Sequence, residues 1–204
     1  MFSSPQLSSF EEGIASNGEV QIYYRDYGPS DAEPILLVQG LGGQLINWPD
    51  HLIEFLIENN FRPIVFDNRD TGLSSRIDSD LFSDNKRNQT IVTSYIRYFL
   101  RLPIKPVYDL DNMALDSISI LDKLEIKKAH LLGISMGGMI AQIVASNYPQ
   151  RVKTFTLIAS TATTPSPFNG PSREVRKLLM KRSNNPFSTC LLYTSDAADD
   201  AHGV

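Results

Sequence analysis

The chain has 204 residues, 42% of them hydrophobic and 21% charged, with a formal net charge of −4, which allows one domain with a substantial core and gives no electrostatic case for nucleic acid or an anionic membrane. No apolar run approaches the roughly 18–20 residues that span a bilayer, and the opening MFSSPQLSSFEEG has neither the basic nor the apolar region of a secretory signal. Cys190 is the single cysteine, which excludes an internal disulfide and a cysteine zinc cluster, so a cytoplasmic protein without metal or cofactor is expected.

EEGIASNGEVQIYYRDYG reads as two short strands turning at Asn17-Gly18, a dipeptide suited to a tight hairpin. EPILLVQGLGG is a buried strand running into glycines. In NWPDHLIEFLIENN the apolar residues Leu52, Ile53, Leu56 and Ile57 share a helical face, with Pro49 tolerated in the first turn. RPIVFD is the next buried strand. A polar loop follows, then a helix around IVTSYIRYFL that stops before Pro103. Asp111 is the expected cap of NMALDSISILDKL, in which Ala114, Ile118 and Leu121 share a face. AHLLGIS is a strand, MGGMIAQIVASNY a helix ended by Pro149, and VKTFTLIAS a further strand. Strands alternating with helices imply an α/β, doubly wound sheet, parallel after the hairpin.

The last fifteen residues, CLLYTSDAADDAHGV, have no helical stripe and no partner in that alternation. They resemble translated sequencing-adapter read-through, so native sequence is expected to stop near Thr189. Without Asp196, Asp199 and Asp200 of this tail, 20 acidic residues face 19 basic ones, so the tail's acidity is not read as function and Cys190 is not read as native.

GISMG at 133–137 is a Gly-x-Ser-x-Gly centred on Ser135. A serine hydroxyl becomes a useful nucleophile only when it is exposed and a base takes its proton. A sharp strand-to-helix turn exposes it, and residues two before and two after must then be small, as Gly133 and Gly137 are. Three fixed positions recur by chance in about one in fifteen chains of this length, so the placement at a strand–helix junction carries more weight than the pattern. The N–H groups at the start of the following helix face any oxyanion formed on Ser135. An oxyanion hole needs two backbone donors. Met136 supplies one, and VQGLGGQ at 38–44 supplies the other: Gly40 allows close approach and Leu41 N–H is the candidate.

Three blocks in order, QGLGGQ at 39–44, FDNRDTGLSS at 66–75 and GISMGGMIAQ at 133–142, resemble the α/β-hydrolase superfamily, in its esterase branch with aclacinomycin methylesterase and proline iminopeptidase relatives. The resemblance covers roughly residues 10–160. It implies a fold of eight strands, of which about six are present, so that 1–160 forms the N-terminal part of the core and 161–189 the start of a helical cap. In the family the second block shapes the loop beside the active site, and Asp67, Arg69, Gly72 and Ser74 match its pattern; Asp67 and Arg69 are read as a loop-fixing pair. Gln39 stands where many relatives have histidine, a tolerable change because the hole uses backbone.

A triad needs a base near the serine and an acid to orient it. His130 lies five residues before Ser135 on the same strand, roughly 16 Å away, and is read as a packing or hydrogen-bonding residue. His51 falls in the first turn of a surface helix, and His202 belongs to the suspected tail. The resemblance places the family's acid after the sixth or seventh strand and its histidine after the eighth. IASTATTPSPF offers no acid, so both are expected to be absent from this chain, which alone should have little activity. Arg173, Arg176, Lys177, Lys181 and Arg182 are read as the solvated face of the cap.

The leading expectation is a serine hydrolase acting on small carboxylic esters or related acyl compounds. As an alternative, the resemblance admits a non-catalytic binding protein or a cofactor-free haloperoxidase or lyase; serine at 135 disfavours an aspartate-nucleophile dehalogenase. A dinucleotide-binding domain is the remote alternative: GLGGQL follows a strand and opens a helix, with Asp67 as the ribose acid. There Leu45 replaces the last glycine of the fingerprint, and the acid comes 27 residues on rather than about 20.

Overall fold

The computed structural model describes residues 9–77 and 107–161. They form a six-stranded sheet of order β1-β2-β4-β3-β5-β6, from β1 (Glu11–Asn17), β2 (Val20–Asp26), β3 (Glu33–Val38), β4 (Phe61–Phe66), β5 (Ala129–Ile134) and β6 (Val152–Ile158). β1 and β2 join antiparallel, as do β2 and β4, whereas β4, β3, β5 and β6 run parallel. The expected alternation is present. The helix foreseen in IVTSYIRYFL, the cap beyond Thr161 and the tail at 190–204 lie outside the described residues.

Helices cover both faces of the sheet. α1 (Asp50–Glu58) buries Ile53 and Leu56 on one face, with Leu37, Val65 and Trp48. α2 (Leu110–Lys123) and α3 (Met136–Asn147) bury the other face, where Ala114, Ile118, Leu121 and Ile140 pack on Leu36, Ile64, Phe66 and Leu131. Alternate residues of each strand therefore serve different cores, which is why β3 and β4 read as continuous apolar runs. Among the described residues no helix is long and apolar enough to cross a membrane.

Three local readings shift by one or two residues. The hairpin turns at Gly18-Glu19 instead of Asn17-Gly18, because Asn17 pairs with Val20 and its side chain donates to Asp116 at 2.9 Å. Pro49 occupies the N-cap of α1, where its carbonyl accepts from Leu52 N–H at 2.9 Å. α2 is capped by Asp109, not Asp111: Asp109 Oδ1 accepts from Asn112 N–H at 3.0 Å, and Asn112 Oδ1 accepts from Asp109 N–H at 3.1 Å. This reciprocal box satisfies two orphan N–H groups, which Asp111, already inside the first turn, could not do.

Leu121 is fully buried at the centre of the α2 contact. Leu121→Ala is expected to lower unfolding free energy by about 2–5 kcal/mol, read from urea denaturation; an unchanged midpoint would contradict this packing.

Candidate active site

The parallel strands β3 and β5 are neighbours, with Val38 beside Gly133, yet the chain leaves them toward opposite faces. β3 leads to α1 on one face and β5 to α3 on the other. A crevice opens where neighbouring connections diverge, beyond the carboxyl ends of the strands. The 39–45 loop and Ser135 both lie at that point.

Ser135 joins β5 to α3 with φ 53° and ψ −120°, a region that costs a non-glycine residue on the order of 1–3 kcal/mol. Hydrogen bonds hold it there. Its N–H donates to Ile158 carbonyl at 2.9 Å, its carbonyl accepts from Gly138 N–H at 3.0 Å, and Ser160 Oγ donates to the same carbonyl at 2.8 Å. Its side chain is exposed. The flanking glycines are sterically required: a Cβ on Gly133 would strike the Gly137 carbonyl, and one on Gly137 would lie 2.6 Å from the Gln39 carbonyl oxygen.

The 39–45 loop comes against this turn. A Cβ on Gly40 would stand 3.2 Å from Ser135 Cβ and 3.3 Å from Ile134 carbonyl oxygen. The loop folds back through a Gly43 N–H to Gly40 carbonyl bond of 3.1 Å, with Gly42 at φ 73°. Among the described residues, neither Leu41 N–H nor Met136 N–H makes a backbone hydrogen bond.

The 67–75 segment braces that loop, but not through an Asp67–Arg69 pair. Asp67 is buried and accepts from Leu45 N–H at 2.8 Å and Leu73 N–H at 2.9 Å. Gly72, at φ 53°, allows the chain to wrap this carboxylate, since any Cβ there would collide with it. Ser74 Oγ donates to the Asp67 carbonyl at 2.6 Å and accepts from Tyr23 N–H at 2.9 Å. Arg69 turns away to α2, where Nε and Nη2 each reach Asp116 at 2.7 Å, with side chains only 6% and 1% exposed. A planar guanidinium meets a carboxylate best in this two-bond form, and Asp67 is already occupied by backbone donors. Asp116, Asn17 and Asn68 thus belong to the support of the site although the sequence did not single them out. One signal was available: an acid on the buried face of an amphipathic helix needs a partner.

The histidines are elsewhere. His130 Nδ1 lies 2.7 Å from Thr154 Oγ1, its ring meets Phe61 edge-on at 5.6 Å, and its Nε2 is 3.6 Å from Glu33. His51 is exposed in the first turn of α1, and His202 lies outside the described residues. Among the described residues no group of three or more His, Cys, Asp or Glu could hold a metal. The geometry disfavours the dinucleotide alternative: residues 45–47 form a short 3-10 turn before α1, and the Asp67 carboxylate is buried against the Leu45 and Leu73 N–H groups.

Residues 33–185 match the family model described as alpha/beta hydrolase fold. The chain belongs to the α/β-hydrolase fold family. It is 31% identical to rhodomycin D methylesterase DnrP of Streptomyces peucetius over 146 residues, 71% of this chain and 41% of the relative. It is 27% identical to 3-oxoadipate enol-lactonase 2 of Acinetobacter baylyi over 144 residues, 71% of this chain and 43% of that one. The solved structure of Est816, described as an N-acyl homoserine lactone degrading enzyme, superposes with a TM-score of 0.53 at 25% identity over 72% of this chain and 45% of the other. The chain therefore spans less than half the length of these α/β-hydrolases.

Removing one partner of the buried pair strands the other charge. Asp116→Ala is expected to destabilise the fold by about 3–5 kcal/mol in chemical denaturation; a loss below about 1 kcal/mol, as for an exposed pair, would contradict it. Beside Arg69, burial and then the Asp70 hydrogen bond push the Tyr108 phenol up to about 12. The folded state keeps that proton, so the associated stability is complete below the ordinary value of 10.0 and is lost as pH rises toward about 12. Tyr108→Phe should flatten the fall in stability over that window, and an unchanged slope would count against this environment.

Proposed function

We propose that Ser135 is the nucleophile of a serine hydrolase that cleaves small carboxylic esters through an acyl-enzyme. The observation that carries this reading is the exposed Ser135 at φ 53° on a strand-to-helix turn, with the Gly40 backbone packed against it. The esterase and lactonase names of two relatives support the same bond class. Leu41, Ile46 and Leu73 are exposed on the loops of this end of the sheet and favour an apolar acyl or alcohol group over a charged one.

Ser135 Oγ attacks the ester carbonyl carbon while its proton passes to a base outside the described residues. The carbonyl π electrons move to oxygen, and the resulting anion is held by the N–H groups of Leu41 and Met136. These donors are fixed in place before the reaction, so no solvent must reorganise as charge develops. Collapse of the tetrahedral intermediate breaks the bond to the alcohol, which takes up the proton, and water then releases the acid. His51 and His130 stand apart from this chemistry.

Mixing the protein with p-nitrophenyl butyrate is expected to release p-nitrophenol in a slow burst of at most one equivalent, with little turnover after it, and to leave the butyryl group on the peptide bearing Ser135. Ser135→Ala should remove both the burst and the acylated peptide. A burst of the same size in that variant would refute the assignment.

A further inference from the structure

Two consecutive residues at the end of β4 grip opposite ends of the loop that faces Ser135. Asp67 Oδ1 accepts from the N–H of Leu45, where the loop ends. Asn68 Nδ2 donates to the carbonyl of Gln39, where it begins, at 3.1 Å. A carbonyl oxygen can only accept, so the Asn68 amide orientation follows from its partner. We infer that Asn68 is a positioning residue of the oxyanion loop, fixing the peptide before Gly40 and through it the direction of the Leu41 N–H.

Contacts connect Asn68 to the serine step by step. The Gln39 carbonyl that Asn68 holds also lies close to Gly137 of α3, where an added Cβ would come within 2.6 Å of its oxygen. The next residue, Gly40, stands against Ser135 Cβ. Rotation of the 39–40 peptide would therefore move the loop backbone directly across the serine. Asn68 does this in an uncomfortable setting: it is 3% exposed, and its Oδ1 is buried with no partner among the described residues. An apolar residue of the same size would avoid that unsatisfied atom but would lose the donor to Gln39. A polar group retained at a standing cost, beside the candidate nucleophile, is where a functional constraint is expected.

This inference deepens the serine hydrolase reading and rests on it for its functional meaning. The test uses Asn68→Leu, which removes donor and orphan acceptor together, and Asn68→Asp, which keeps the shape but replaces the donor with an acceptor. Phenylboronic acid is the probe: its boron accepts a lone pair from Ser135 Oγ, the hydroxyl proton passes to solvent, and the tetrahedral adduct places a negatively charged B–OH among the loop donors. Both variants should bind it roughly tenfold or more weakly than wild type, with melting temperature kept within a few degrees for Asn68→Leu. The amide of Gly43, bonded to Gly40 carbonyl, should exchange with solvent faster in both, while the Leu37 amide in β3 is unchanged. Boronate binding abolished by Ser135→Ala but unaffected in both Asn68 variants, with Gly43 exchange unchanged, overturns this inference and leaves the nucleophile standing. Boronate binding that survives Ser135→Ala overturns the nucleophile reading itself; Gly43 exchange then decides whether Asn68 holds the loop.

Discussion

One constraint organises this end of the molecule: Ser135 occupies a left-handed backbone conformation that a serine does not choose by itself. Hydrogen bonds to its main chain, with Ile158 of β6, with Ser160 just beyond it and with the first turn of α3, hold it there. The turn then demands bare backbone at Gly133 and Gly137 and leaves little room for a side chain at Gly40. The parallel order β4-β3-β5-β6 supplies the approach, since the connections after β3 and β5 diverge and leave their loop ends facing one another. Strain, glycine content and topology are thus one requirement expressed at three levels.

Support for that requirement comes from the loop after β4. Asp67, Asn68 and Arg69 are consecutive, yet each serves a different element: Leu45 at the end of the 39–45 loop, Gln39 at its start, and Asp116 on α2. The loop beside the serine is therefore linked to the far helix by buried, charge-assisted contacts, whereas the exposed pair of Glu33 with Lys153 on the strands is a minor contributor. Asn17 completes the arrangement by donating to the same Asp116 carboxylate from the hairpin.

The sequence made the fold and the strand-to-helix turn at Ser135 legible because both are local. Alternating apolar runs and helical faces named every strand from β1 to β6, and Gly133-x-Ser135-x-Gly137 marked the junction. Support contacts were not legible in the same way. Arg69 meets Asp116 from 47 positions away, and choosing between Asp67 and Asp116 as its partner required knowing that Asp67 was already filled by backbone donors. Asn68 carried no signal, since its bond is to the Gln39 carbonyl in a loop 29 positions earlier. Cap positions moved by two residues at α2 because Asp109 and Asp111 are both good caps in isolation, and the reciprocal bond from Asn112 decides between them.

Negative charge formed at Ser135 would sit between the 39–45 loop and the start of α3. A crystal structure of the protein after treatment with a p-nitrophenyl alkylphosphonate ester would place that charge in view. Phosphorus is expected on Ser135 Oγ, with the phosphoryl oxygen within about 3 Å of both the Leu41 and Met136 nitrogens. Phosphorus on another residue, or a phosphoryl oxygen turned to solvent away from the 39–45 loop, would contradict it.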